Sequence, residues 1–241
     1  MPELKEIYRS YADRYQALVG REDYKGNLLP AIQGIDSLAG KDVIELGAGT
    51  GRVSCLIAPI VRRLVAADIS HHMLLLGKRR LGELELFHCH YSLESHRWLP
   101  FAEASADVII AGWSFCYAAI DAGEAWQPAL EEALSEVERV LRPGGRLILI
   151  ESLGTGFTSP NRPEVLVDYL AYLDAHGFDS TWIRTDYCFV DTAEAKDLTG
   201  FFFGEAPMPM WEIDSGVIVP ECTGLWWKST PLDLAKTHYI A

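Results

Sequence analysis

Basic residues are scarce in this chain of 241 residues. It has 21 Lys and Arg against 34 Asp and Glu, which gives a formal net charge of −13 at pH 7. Proteins that bind nucleic acid neutralise the phosphates with clustered Lys and Arg. The charge balance therefore predicts no nucleic-acid partner. Solubility explains the acidity best, and a cationic substrate stays open.

Cysteine pairs are also missing. The five cysteines, Cys55, Cys89, Cys116, Cys188 and Cys222, are odd in number and form no C-x-x-C spacing. Such scatter indicates neither a disulfide framework nor a zinc site. A reducing cytoplasm fits this pattern.

Long apolar runs are absent. No run of eighteen apolar residues occurs, so we expect no membrane span. Residues 1–5 lack the apolar region of a signal peptide. Apolar residues are nevertheless 49% of the total, which is enough to build the core of a single domain of this length.

The most informative segment that is present runs from Val43 to Arg52. A short apolar run ends in three glycines at alternate positions, Gly47, Gly49 and Gly51, and a periodic apolar stretch follows. This pattern predicts a strand, a tight turn and the start of a helix. Glycines let the backbone take positive φ and let a ligand lie against it. The helix N-terminus adds free N–H groups nearby.

A carboxylate follows at the next strand. The apolar run 63–67 ends in Asp68, about twenty residues after the glycines, which is the spacing at which an acid takes ribose hydroxyls. Together the glycines and Asp68 predict a site for an adenosine cofactor on a Rossmann-like sheet.

Two cofactors compete for such a site. The dinucleotide fingerprint is G-x-G-x-x-G, whereas this chain has G-x-G-x-G preceded by Glu45-Leu46. Further segments accompany it, namely Asp68-Ile69-Ser70, Leu99-Pro100-Phe101, Ala106-Asp107-Val108-Ile109-Ile110 and Val140-Leu141-Arg142-Pro143-Gly144-Gly145. In this order they resemble the class I S-adenosylmethionine-dependent methyltransferases of the small-molecule type. The resemblance covers residues 40–151 well and the remainder loosely.

The resemblance implies an α/β fold with a Rossmann-like, doubly wound sheet of seven strands in the order 3-2-1-4-5-7-6, mostly parallel with the last strand antiparallel, plus an N-terminal helix and a small cap. It also implies one methyltransferase domain over residues 1–241. Within it we expect an N-terminal lid helix in 1–30, a cofactor-binding core in 40–151, a substrate-side half with the closing strands in 152–228, and a tail in 229–241.

The residue pattern predicts the elements individually. Strands are expected at 42–46, 63–67, 84–88, 107–111, 146–151, 182–190 and 224–228. Helices are expected at 4–19, 51–60, 70–81, 126–141, 164–176 and 192–203.

The family's cofactor contacts carry over by position. They imply that Gly47, Ala48, Gly49 and Gly51 form the floor under the methionine and ribose of S-adenosylmethionine, and that Asp68 takes the ribose hydroxyls. Ile69 and Met73 would flank the adenine, and Gly112 and Trp113 would face the sulfonium. Glu45 is expected to organise the glycine turn. The same site would hold the product, S-adenosylhomocysteine.

This chain departs from the family's pattern at one position. An acid usually follows strand three and contacts the adenine amino group, but no Asp stands at the expected place. The resemblance then leaves Ser92 or its backbone in that role, with Leu93 against the ring.

Tyrosines recur along the N-terminal helix. Tyr8, Tyr11 and Tyr15 are three or four residues apart and are expected on one helical face. One interpretation is an amphipathic helix that lies on the core. The other is a lid that closes over cofactor and substrate, with Tyr11 and Tyr15 at the cofactor.

The predicted chemistry is in-line transfer of a methyl group to a small-molecule acceptor. A general base is needed only if the acceptor must lose a proton. Five of the seven histidines fall between positions 71 and 96, but their spacing matches no metal motif, so no metal site is expected. The sequence identifies no catalytic base.

Two rival functions stay open. The cofactor pocket could serve binding or different chemistry without methyl transfer, or the turn could hold NAD(P) in an oxidoreductase. The motifs of DNA methylation are absent after strand four, where the chain reads Ala111-Gly112-Trp113-Ser114. Methylation of a protein stays open.

Overall fold

The computed structural model describes residues 4–86, 88–204 and 208–232. Its strands are β1 Asp42–Leu46, β2 Arg63–Asp68, β3 Cys89–Leu93, β4 Ala106–Gly112, β5 Leu141–Thr155, β6 Asp179–Arg184, β7 Tyr187–Phe189, β8 Trp211–Ile213, β9 Gly216–Val219 and β10 Glu221–Ser229. Its α-helices are α1 Leu4–Ser10, α2 Ala12–Val19, α3 Leu28–Ile35, α4 Arg52–Ile57, α5 His71–Glu83, α6 Tyr117–Ile120, α7 Trp126–Val140, α8 Val167–Ala175 and α9 Thr192–Phe203. Short 3₁₀ turns cover Gly123–Ala125 and Glu164–Leu166.

Seven strands form the main sheet, in the order β3-β2-β1-β4-β5-β10-β6. The pairs from β3 to β5 are parallel, and β10 runs antiparallel to both β5 and β6. Strand β1 is buried along its whole length, as expected for a central strand covered on both faces. The predicted doubly wound sheet with an antiparallel last strand is confirmed.

Two apolar layers cover the sheet. On one side α7 presents Leu130, Leu134 and Val137, which are fully buried and lie at helical spacing. On the other side α3 and α4 contribute Ile32 and Ile57, also fully buried. Burying a side chain of this size stabilises the fold by about 1.5–3 kcal/mol. These layers hold the carboxyl ends of the strands in fixed positions.

The N-terminal segment is not one helix. The predicted helix 4–19 breaks at Tyr11, whose φ of −126° and ψ of 35° are not helical. The break lets α1 pack on α5 while α2 packs on α5 and α9. Ile7 and Leu18 are fully buried as a result. The prediction that Tyr8, Tyr11 and Tyr15 share one face is therefore wrong for Tyr11, which packs on Phe201 at a centroid distance of 5.9 Å.

Strand three lies five residues later than predicted. Helix α5 continues to Glu83, and Glu85 takes a φ of 53°, which a strand cannot accommodate. The strand is instead Cys89–Leu93, which pairs with β2 from Leu64↔Cys89 to Asp68↔Leu93. The shift places Leu93, rather than His88, at the carboxyl end of this strand.

The second half departs further from the predicted pattern. The expected strand 182–190 divides into β6 and β7, and β7 joins β9 and β8 in a small antiparallel sheet. Helix α3 was not predicted either. Strand β5 begins before the Pro-Gly-Gly turn that was expected to precede it, and its register with β4 shifts there.

The chain end is only partly described. Of the predicted tail 229–241, Ser229 ends β10, and Leu232 is fully buried and donates its N–H to Glu138 at 3.0 Å. Residues 233–241 lie outside the described residues. Across the described part of the chain, no helix has the length and apolar character needed to cross a membrane.

Candidate cofactor and substrate site

A cavity of about 900 Å³ opens at the carboxyl ends of β1, β2 and β4. Ligands of doubly wound sheets bind at this edge. Most of the residues predicted to hold the cofactor line this cavity, namely Gly47, Gly49, Asp68, Ile69, Met73, Gly112, Trp113 and Tyr15. These predicted residues therefore lie together around one cavity, and their contact with a cofactor stays a prediction.

The glycine turn forms one wall. Gly47, Gly49 and Gly51 have φ values of 67°, 54° and 81°, which L side chains rarely adopt. A Cβ on Gly47 would lie 2.2 Å from the Cβ of Ser114. That close approach leaves no room for a side chain at Gly47, and it brings the β1 turn against the segment that follows β4.

Asp68 organises the same wall. Its Oδ2 accepts the N–H of Gly49 at 2.7 Å, and its Oδ1 accepts the N–H of Ser70 at 2.7 Å. Burial raises the pKa of Asp68, and the two backbone N–H groups oppose that rise. Each carboxylate oxygen has a second lone pair, so the group can hold the turn and still accept hydrogen bonds from a ligand in the cavity.

Two residues of the turn that were predicted to contact the cofactor, Ala48 and Gly51, do not line the cavity. The N–H of Ala48 is bound to the carbonyl of Ala67 at 2.9 Å. Gly51 faces α5, where a Cβ would meet Cα of Gly77 at 3.4 Å. Both residues shape the turn, and their contact with a cofactor stays a prediction.

The segment after β3 holds a residue that the sequence reasoning missed. Ser92 and Leu93 belong to β3 and do not line the cavity, and Leu93 is 55% exposed, so their adenine contacts also stay a prediction. The next residue, Glu94, lines the cavity and is buried. Neither of its carboxylate oxygens has a hydrogen-bond partner among the described residues. Correct placement of strand three would have revealed this acid directly after the strand.

Trp113 is held rigidly at the cavity. It takes a φ of 51°, and its N–H donates to Ile150 at 2.6 Å. The guanidinium of Arg52 lies 3.4 Å from the centroid of its ring. Arg52 in turn pairs with the buried Glu22 at 2.5 Å. Such a cation–π contact, tied down by an ion pair, fixes the indole in one orientation.

Two tyrosines of the N-terminal segment close the opposite side. The rings of Tyr8 and Tyr15 meet edge to face at 5.5 Å, and the hydroxyl of Tyr8 lies 3.2 Å from that of Tyr117. Burial raises the pKa of Tyr8 and of Tyr15, so both phenols stay neutral at physiological pH. Tyr11 does not line the cavity and is 41% exposed, so its contact with the cofactor stays a prediction.

The histidines differ in where they lie relative to the cavity. His71 and His72 lie at the start of α5 on the exposed rim of the cavity. The ring of His88 hydrogen-bonds the carbonyl of Ala58 at 2.8 Å. His96 also lines the cavity, and its ring stacks on that of the fully buried Phe115 with centroids 5.4 Å apart. No group of three possible metal ligands occurs within residues 4–86, 88–204 and 208–232.

Two buried acids support the strands beneath the cavity. Burial raises the pKa of Glu45 to about 8, and the hydroxyl of Ser54 in α4 donates to its carboxylate. Burial raises the pKa of Glu151 to about 7. Glu151 accepts the hydroxyl of Tyr169 at 3.0 Å and the N–H of Cys116 at 3.2 Å. Both acids join a strand to its flanking elements.

Known proteins resemble part of this chain. Residues 44–149 match a family described as a methyltransferase domain. The ubiquinone/menaquinone biosynthesis C-methyltransferase UbiE of Rubrivivax gelatinosus is 33% identical over 113 residues, which are 47% of this chain and 40% of that protein. The demethylmenaquinone methyltransferase of Clavibacter sepedonicus is 32% identical over 139 residues, 57% of this chain and 50% of that protein. The chain thus spans about half the length of the curated relatives it matches.

Solved structures share the fold. The crystal structure of a SAM-dependent methyltransferase from Aquifex aeolicus superposes with a TM-score of 0.53 at 15% identity. The match covers 82% of this chain and 87% of that protein. It therefore extends beyond the residues 44–149 that match the methyltransferase domain.

Proposed function

Because the chain belongs to the class I S-adenosylmethionine-dependent methyltransferases, we propose that it transfers a methyl group from S-adenosylmethionine to a small-molecule acceptor. The supporting observation is the cavity at the carboxyl ends of β1, β2 and β4, which brings the glycine turn and Asp68 together.

The residues of the cavity suit an adenosine-based methyl donor. Gly47 and Gly49 leave backbone exposed in the wall, and Asp68 offers lone pairs to the ribose hydroxyls. Ile69 and Met73 give apolar surface for the adenine. Glu94 adds a buried carboxylate to the same lining, and its oxygens have no hydrogen-bond partner among the described residues.

The acceptor would occupy the side nearest α1 and the segment after β4. Aromatic rings dominate this side, with Tyr8, Tyr15, Trp113 and Tyr117 all on the lining. Flat aromatic acceptors pack well between such rings. Both curated relatives carry names of quinone methyltransferases, and we propose a quinone-type aromatic compound, in its reduced form, as the acceptor class.

Methyl transfer depends more on how the donor and acceptor are positioned than on reactive side chains of the protein. The donor supplies an electrophilic methyl group, and the protein must hold the acceptor atom about 3–3.5 Å from it in line with the leaving sulfur. Tyr8 and Tyr15 shield the reacting atoms from water, and the fixed Trp113 sets the wall against which donor and acceptor lie. Alignment of this kind supplies several kcal/mol of the barrier reduction.

A product assay tests the proposal. The full chain is incubated with S-adenosylmethionine and a panel of reduced quinones, catechols, amines and thiols, and products are identified by mass spectrometry. We expect a methylated aromatic product and S-adenosylhomocysteine in equal amounts. Tight binding of S-adenosylmethionine with no product from any acceptor would instead identify a binding protein without methyl transfer.

Compartment and partners follow from composition. All five cysteines are free thiols in the structure, and we place the enzyme in a reducing cytoplasm on that ground. The net charge of −13 supports a small-molecule partner rather than nucleic acid.

A further inference from the structure

Glu94 and His96 form a buried pair on the cavity wall. The Nδ1 atom of His96 lies 3.6 Å from Oε1 of Glu94. The Glu94 side chain is fully buried, and the His96 side chain is 15% exposed. Among the described residues, neither carboxylate oxygen of Glu94 nor Nδ1 of His96 has a hydrogen-bond partner. A small rotation of either side chain would close this distance to a hydrogen bond.

The surroundings fix the imidazole ring. It stacks on Phe115 with an angle of 24° between the ring planes. Its Cε1 atom would lie 3.6 Å from a Cβ placed on Gly47. The ring therefore stands over the turn that is expected to carry the methionine end of the donor. Because Nδ1 is buried towards Glu94, Nε2 is the nitrogen that a molecule in the cavity reaches.

Other polar groups of the cavity suit proton removal less well. Arg9 and Arg97 have no lone pair to accept a proton. Burial raises the pKa of Tyr117, so its phenolate does not form at neutral pH. Asp68 already accepts two backbone N–H groups. His71, His72 and Asp121 are exposed on the rim of the cavity.

Acidic side chains surround the His96 ring. Glu94 lies beside it, and the carboxyls of Asp68 at the end of β2 and of Glu151 in β5 are close enough to interact with it electrostatically. Arg97 is the neighbouring cation on the same loop. A histidine that faces a carboxylate at one nitrogen and is open to the cavity at the other has the arrangement of a general base.

We propose that His96 is the catalytic base of the methyl transfer, that Glu94 is its positioning residue, and that the acceptor is an aromatic hydroxyl compound. The proposal rests on the proposed function. The acceptor oxygen forms the new bond to the methyl carbon, and the carbon–sulfur bond breaks with its electron pair retained on sulfur. The hydroxyl proton moves to Nε2. The site gains one positive charge on the imidazole as the sulfonium loses one, so its total charge is unchanged.

The test compares two acceptors that differ in ionisation. Catechol keeps its hydroxyl proton at neutral pH, whereas 4-nitrocatechol is largely ionised and needs no base. His96→Gln should lower kcat for catechol by about 10²- to 10⁴-fold, the usual size of general-base catalysis. The same variant should lower kcat for 4-nitrocatechol by less than about tenfold. Glu94→Gln should lower kcat for catechol by about tenfold or more. His96→Gln should leave the affinity for S-adenosylhomocysteine unchanged.

Controls separate the outcomes. His90→Gln replaces an exposed histidine of β3 away from the cavity and should leave both rates unchanged. Equal losses with both acceptors would make His96 a structural residue and overturn the proposal. Weaker binding of S-adenosylhomocysteine in Glu94→Gln, with kcat retained at saturation, would make Glu94 a cofactor contact and also overturn it. If the unmodified protein methylates no acceptor, the proposed function fails, and the base assignment fails with it.

Discussion

At the scale of single residues, Asp68 offers the most direct test of the cofactor site. Asp68→Asn keeps the shape of the side chain but removes its charge. We expect it to weaken S-adenosylhomocysteine binding by about 1.5–3 kcal/mol, the size of hydrogen bonds to a charged group. Isothermal calorimetry measures the change.

A matched control is Asp168→Asn, which alters an exposed acid at the start of α8. It should bind like the unmodified protein. If Asp68→Asn binds with unchanged affinity, the carboxylate does not meet the ribose, and its role is limited to holding Gly49 and Ser70.

Two glycines of the same turn should respond differently to substitution. Gly49→Ala makes only ordinary contacts, with Met73 at 3.6 Å and the carbonyl of Gly47 at 4.0 Å, so its cost is the positive φ, about 1–2 kcal/mol. Gly47→Ala bears the same backbone cost and also forces Ser114 away, since its Cβ would stand 2.2 Å from that side chain. Overpacking of this kind adds about 1–3 kcal/mol. Urea unfolding should therefore find Gly47→Ala the less stable variant, and equal midpoints would contradict the described packing.

At the scale of elements, the errors of the sequence reasoning have a common cause. The strong apolar strands β1, β2 and β4 were placed within one residue. Strand β3 lies at an edge and reads Cys-His-Tyr-Ser-Leu, so it lacks the apolar run that marks a buried strand. The segment 84–88, which contains Leu84 and Leu86, resembled a strand instead. That error concealed Glu94, which becomes evident only when the end of β3 is known.

Non-local contacts account for the other missed elements. The chain leaves the main sheet after β6 because Thr185 and Asp186 bind distant segments: the carbonyl of Thr185 accepts the N–H of Asp23, and the Thr185 hydroxyl donates to Glu22. No local sequence pattern predicts such distant hydrogen-bond partners. The small sheet of β7, β9 and β8 depends on pairing across about thirty residues.

The N-terminal helices should behave as an element that the cofactor orders. The side chain of Gln16 in α2 accepts the hydroxyl of Thr50 at 2.5 Å, and Ser70 donates to the carbonyl of Tyr8 at 3.0 Å. Both contacts attach the helices to the cofactor turns. Segments of this kind open more readily than a central sheet, and ligands close them.

Hydrogen exchange followed by mass spectrometry tests this behaviour. Amides of α1 and α2 should exchange faster than those of β1 and β4 in the free protein, and S-adenosylhomocysteine should slow them. Deleting residues 1–19 should leave the sheet folded but weaken binding. Identical protection with and without the ligand, together with full affinity in the truncated protein, would reduce these helices to simple packing.

At the scale of the whole molecule, buried acids determine how stability depends on pH. Burial raises the pKa of Glu151 from 4.5 to about 7, and the pKa of Glu45 and Glu221 to about 8. Between pH 4.5 and about pH 7–8 the folded protein therefore holds more protons than the unfolded chain. By linkage, their contribution to the unfolding free energy is complete below pH 4.5 and is lost as pH rises through about 7–8.

Urea unfolding at about pH 5 and about pH 8 measures this loss. Glu151→Gln keeps an oxygen for the Tyr169 hydroxyl but cannot ionise, so the difference in stability between the two pH values should shrink. Glu164→Gln, at an exposed position, should leave it unchanged. A protein that becomes more stable over this range would contradict the assignment of neutral buried acids.

The central claim is that the cavity at the carboxyl ends of β1, β2 and β4 binds S-adenosylmethionine. Calorimetric titration of the full chain with S-adenosylmethionine, S-adenosylhomocysteine and NAD tests it most directly. The glycine spacing and Asp68 predict saturable binding of both sulfur compounds and none of NAD. Saturable binding of NAD, with no heat from either sulfur compound, would contradict the account.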